Sequence, residues 1–62
     1  MARMASERKM ERDGFEFHGY EYDGDAQMEQ VSLERRGYET RLLRERSDTP
    51  YLKMFSVWKR QR

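Results

Sequence analysis

The second half of the chain gathers cations beside aromatic rings. Arg35, Arg36, Arg41, Arg44, Arg46, Lys53, Lys59, Arg60 and Arg62 fall among Tyr38, Tyr51, Phe55 and Trp58. A sheet carrying such side chains could hold a phosphate backbone with its cations and stack bases on its rings. The same residues could instead form a solvated shell around a small aromatic core, with Trp58 as its packing anchor. Charge is divided along the chain. Residues 14–30 hold Glu16, Glu21, Asp23, Asp25 and Glu29 with no Lys or Arg, a net −5. Residues 31–62 hold nine basic and four acidic residues, a net +5, and residues 1–13 contribute +1. The total of +1 therefore conceals an acidic part and a basic part. It also weighs against nucleic acid, whose binders usually carry a clear basic excess.

Other reactive chemistry is sparse. Asp23, Asp25 and Glu29 resemble the opening of a calcium loop, but Gln27, Val31 and Glu34 do not continue the alternating ligands and closing glutamate it needs. Helix capping is the simpler role for the aspartates. His18 is the only histidine, and no nucleophile or orienting acid is spaced to work with it. There is no cysteine, so no disulfide or thiolate metal site can form within the chain. No residue is assigned as catalytic, cofactor-binding or metal-ligating. An enzyme is not expected, since 62 residues leave little room for a pocket.

These side chains must be positioned by a very small domain. A chain of 62 residues buries only about 60% of its unfolded surface, and oligomerisation is a common remedy. Charged residues at 40% and hydrophobic ones at 35% approach the disordered class. The aromatics, however, cluster into short segments, which favours a folded core. No apolar run approaches the roughly 20 residues of a membrane helix, and the first residues do not resemble a signal peptide. A cytoplasmic location is expected. Ten Arg against three Lys, with no Ile or Asn, suits a GC-rich genome or a thermophile.

Residues 1–12 read as an N-terminal arm, partly mobile or pairing with the sheet, and 13–62 as the single domain. Met4, Ser6, Arg8 and Met10 would alternate in a strand, and Asp13-Gly14 is a type I′ hairpin signal. Phe15 to Tyr22 alternates aromatic and polar residues, but the phase slips at Gly19. The slip fits a bulge better than a His18-Gly19 turn. Asp23-Gly24-Asp25 then supplies N-cap oxygens for a helix over 26–36, although Val31 and Leu33 would also alternate in a strand. Gly37 takes the left-handed position beyond the helix, placing Leu33 and Tyr38 where a Schellman cap makes its apolar contact.

Residues 38–46 and 51–60 read as a hairpin closed by Ser47-Asp48-Thr49-Pro50. A four-residue loop would set Leu42 opposite Phe55, Thr40 opposite Val57 and Leu43 opposite Met54. The last strand is the most apolar segment, which argues for a central position. The fold class is α+β: a small antiparallel or mixed sheet of three to four strands, with one helix on one face. The order is β-α-β-β, preceded by a possible N-terminal strand or helix.

The hairpin is apolar on both faces, with Leu42, Phe55 and Val57 on one and Leu43, Leu52, Met54 and Trp58 on the other. One helix covers one face. The arm, a second copy or another partner must cover the second. The function expected is a non-enzymatic interaction module, binding another protein or itself through a sheet face. The alternative is a nucleic-acid binder using the basic hairpin. Either would use a surface of Arg41, Arg44, Arg46, Lys53, Trp58, Lys59 and Arg60, and no membrane.

Overall fold

The computed structural model describes residues 5–46 and 51–62. Five elements follow one another: helix α1 (Ala5–Arg12), strand β1 (Glu16–Tyr22), helix α2 (Asp23–Arg35) and strands β2 (Tyr38–Glu45) and β3 (Met54–Gln61). The strands form one antiparallel sheet in the order β1-β3-β2. The last strand is central, as its composition predicts. Its Ser56, Val57 and Trp58 are buried in succession, so it is covered on both faces.

The phase slip in β1 is a bulge. Pairing with β3 shifts between Phe17 and Gly19, leaving His18 as the extra residue. Gly19 has no positive φ, so His18-Gly19 is not a turn. Because of the bulge Phe17 and Tyr20, three residues apart, lie on one face: they oppose Trp58 and Ser56 respectively.

The hairpin register differs from expectation by two residues. Leu42 pairs with Val57, Thr40 with Lys59, Leu43 with Ser56 and Arg44 with Phe55. Glu45 opposite Met54 leaves residues 46–53 as the connection, longer than the expected four-residue turn. Ser47 to Pro50, where that turn was expected, lie outside the described residues. Sheet alternation has period two, so a slip of two keeps every side chain on its face.

Helix α2 starts earlier than expected. Tyr22 is its N-cap and makes no side-chain cap bond. Asp23 and Asp25 are not caps; they lie in the first turn, where the helix dipole favours them. The Asp23 N–H, one of the donors every helix start leaves unpaired, bonds the Lys53 carbonyl at 2.9 Å. At the other end the expected glycine stop is present: Gly37 has φ +95° and its N–H donates to the Glu34 carbonyl at 3.0 Å. Ala26, Leu33 and Val57 are fully buried between α2 and the sheet, with Tyr38, Leu42 and Phe55 packed against them. Met28 and Val31 point the other way and are exposed.

Residues 5–12 of the arm form a helix rather than a strand, and Met4 of the expected alternation lies outside the described residues. Asp13-Gly14 ends the helix instead of turning a hairpin, since Asp13 lacks the positive φ a type I′ turn needs. Gly14 has φ +88°. The Phe15 N–H donates to Met10 O at 2.9 Å and the Gly14 N–H to Glu11 O at 3.0 Å, which are the two bonds of a Schellman motif. Helix α1 lies on the sheet face opposite α2. Residues Glu7 and Glu11 border Phe17, Tyr20 and Trp58 there, and Met10 borders Phe15 and Leu43. Residues 5–12 thus cover part of that second face.

Candidate functional site

Side-chain alternation divides the basic surface. Arg41, Trp58 and Arg60 lie on the α1 face, whereas Arg44 and Lys59 lie on the α2 face, following the strand pairing. Arg46 follows β2, and Lys53 precedes β3. The seven residues therefore do not form one surface. Trp58 is only 4% exposed, and its Nε1 donates to Ser56 Oγ at 2.8 Å. Its ring is a buried wall rather than an open stacking platform.

Most of the strand cations are engaged within the molecule. Arg60 lies 4.4 Å from the Phe15 ring centroid and Arg41 5.4 Å from it. Arg60 donates through Nε to Glu39 Oε2 at 3.1 Å, through Nη2 to the same oxygen, and through Nη1 to the Asp13 carbonyl at 2.6 Å. Arg41 donates to Glu39 Oε1 at 3.1 Å and to the Thr40 carbonyl at 2.9 Å. The Arg60 hydrogen bond first, and then the charges of Arg60 and Arg41, hold the Glu39 carboxyl below its ordinary value. Lys59 and Arg36 lie over Tyr38, and Arg44 over Phe55. Of the three cations bordering a cavity of about 430 Å³, Lys9, Arg41 and Arg60, the two arginines are thus already engaged.

The α2 face holds polar links between helix and sheet. Gln30 Nε2 donates to Thr40 Oγ1 at 3.2 Å, and that hydroxyl donates to Glu34 Oε1 at 3.0 Å. His18 Nε2 lies 3.0 Å from Glu29 Oε1, fastening the bulge to α2. Glu29 is thereby engaged by histidine, and among the described residues no group of three His, Cys, Asp or Glu side chains is placed to hold a metal.

What remains open lies elsewhere. On the α1 face of edge strand β1, Phe17 is 45% exposed, Tyr20 57% and Tyr22 46%. Phe17 meets Tyr20 at 5.0 Å between centroids and Trp58 at 5.5 Å, inclined at 60° and 67°. Beside them a cavity of about 200 Å³ is bordered by Glu7, Glu11, Phe17, Tyr20 and Trp58. A separate shallow groove of about 510 Å³ runs along the outside of α2, past Gly24, Met28, Val31 and Arg35. Reading the sequence for cations missed the first of these sites. The signal was the aromatic alternation of β1, used there only to identify a strand; Glu7 and Glu11 enter only because the arm is a helix and places i and i+4 together.

No helix among the described residues is long and apolar enough to cross a membrane. No known protein family, no curated protein and no solved structure matches the chain.

Proposed function

We propose that this protein is a non-enzymatic interaction module whose contact surface is the aromatic side of β1. One observation carries this reading: Phe17, Tyr20 and Tyr22 stand about half exposed in a row on one face of an edge strand. Contiguous exposed aromatics are uncommon on a surface that meets only water. Tyr and Phe are enriched at the cores of protein interfaces. An edge strand also has one side free for an added strand, whose main-chain bonds supply affinity while side chains supply specificity.

The partner in this reading is a polypeptide, and the site is the α1 side of the sheet. The basic hairpin is the less favoured surface. Arg41 and Arg60 are tied to Glu39 and Phe15, and Trp58 is buried. A salt titration of binding to duplex and single-stranded nucleic acid separates the two readings, because phosphate contacts lose affinity steeply with salt. The direct test is photo-crosslinking of the full chain inside cells, with p-benzoylphenylalanine at position 20 or at position 28 on the outside of α2. A discrete protein adduct from position 20 and not from position 28 is expected. An adduct of twice the chain mass identifies the partner as a second copy. Equal adduct patterns from both positions, or none from position 20, refute the reading.

A further inference from the structure

The cavity beside β1 has an unusual lining for this molecule. Among the described residues, five cation–ring contacts occupy three rings: Arg41 and Arg60 on Phe15, Arg36 and Lys59 on Tyr38, and Arg44 on Phe55. The rings of Phe17, Tyr20 and Trp58 carry no such cation among those residues, although Glu7 and Glu11 stand beside them. The cations sit on rings elsewhere, while the three rings next to carboxylates border an open cavity of about 200 Å³. Their inclination at 60° and 67° turns the ring faces in different directions instead of stacking them on one another. Aromatic faces attract cations through their quadrupole, and a neighbouring carboxylate adds charge of the complementary sign. Glu11 already has a contact of its own, so Glu7 is the carboxylate on which the argument rests.

We infer that this cavity accepts a basic side chain, an arginine guanidinium or a lysine ammonium, from a partner polypeptide lying along β1. The inference rests on the proposed contact surface and names the chemistry that the surface selects. Charge complementarity supports a polypeptide of basic character. Among the described residues Glu7 and Glu11 border the cavity and no Lys or Arg does, whereas Glu16 and Glu21 of β1 pair with Lys59 and Phe55 on the other face. Placement supports it too. Phe17 and Tyr20 border the cavity and belong to the edge strand, so a peptide paired there could insert an inward side chain between them while its backbone follows the strand. A guanidinium is the better fit to several ring faces, being flat and weakly hydrated.

The test uses two blocked, strand-forming peptides that differ at one central residue, arginine in one and citrulline in the other. Citrulline keeps the shape and loses the charge. Trp58 is the only tryptophan, so its fluorescence reports binding at constant ionic strength. The arginine peptide is expected to bind about tenfold more tightly than the citrulline peptide. Glu7→Gln should reduce that ratio several-fold. Tyr20→Leu, which keeps apolar bulk and removes the ring, should also reduce it, and Met28→Ala should leave it unchanged. Circular dichroism and thermal melting confirm that each variant folds. Equal binding of the two peptides overturns the inference but leaves the contact surface standing as an apolar one. Binding of neither peptide overturns the inference as well; the crosslink at position 20 then decides whether the surface itself survives. A ratio unaffected by Glu7→Gln and Tyr20→Leu places the cation elsewhere and also overturns it.

Discussion

The two faces of the sheet are built on different principles. On the α2 face Ala26, Leu33 and Val57 are wholly buried in one cluster, with Tyr38, Leu42 and Phe55 packed against it. On the α1 face Phe15 and Trp58 are buried, but arginines lie over Phe15 and cavities separate α1 from the strands. Burial of apolar area is non-directional and supplies most folding stability, at about 25 cal/mol per Å². Cation–ring contacts and exposed ion pairs are directional and weaker, about 1 kcal/mol each or less. The difference teaches that α2 and the sheet form the stable body. Helix α1 is a lighter cover that leaves Phe17, Tyr20 and Tyr22 about half exposed.

The sharpest way to break this comparison is to weaken each face in turn. Leu33→Ala should cost about 2–5 kcal/mol, close to the whole margin of roughly 5 kcal/mol for so small a domain. Urea titration should find that variant largely unfolded. Met10→Ala on α1 should move the midpoint far less, and an equal shift would mean that both faces carry the fold.

The two left-handed glycines offer a finer contrast. Gly37→Ala and Gly14→Ala each place a side chain at positive φ, at a cost of about 1 kcal/mol. The first should lower the melting temperature of the whole domain. The second should mainly loosen α1, read as faster amide exchange at Gly14 and Phe15, whose N–H groups bond Glu11 and Met10. Uniform acceleration of exchange across the sheet in Gly14→Ala would show that α1 does not open separately.

Arg60→Met keeps much of the stem over Phe15 and removes the charge. It should cost about 1 kcal/mol and reduce the sensitivity of the melting temperature to salt. The smallest expected effect is on Glu39. Its folded-state value lies below the unfolded one. Its contribution is therefore complete above the unfolded value and disappears as pH falls through the folded value. Urea midpoints should decline over that acidic window in the parent chain and decline less in Glu39→Gln.

Much of this architecture was legible from residue order because the signals were local. The aromatic slip around Gly19 marked the bulge, Gly37 marked the end of α2, and the apolar run Met54 to Trp58 marked the central strand. The misreadings have physical causes as well. Asp-Gly serves both hairpins and helix ends, because each needs one left-handed glycine, and only the φ of Asp13 separates them. The start of α2 is capped by the Lys53 carbonyl, thirty residues along the chain and invisible to any local pattern. The α1 residues bordering the Trp58 cavity are glutamates, so no apolar stripe announced that helix. The cation surface was misjudged because alternation separates neighbours in sequence onto opposite faces. Arg41 and Arg44 part in this way, as do Lys59 and Arg60.

The strand order also constrains how the molecule comes into being. Strand β3 is the last of the five elements to emerge during synthesis, yet both other strands pair only with it. Until it emerges, β1 and β2 have no neighbour, and the aromatics of β1 are unshielded. Sheet formation therefore waits on distant pairings such as Glu16 with Lys59, which carry the loop-closure cost of non-local contacts. A premature stop before Met54 would release a chain with no sheet at all and with its Phe and Tyr side chains open to aggregation.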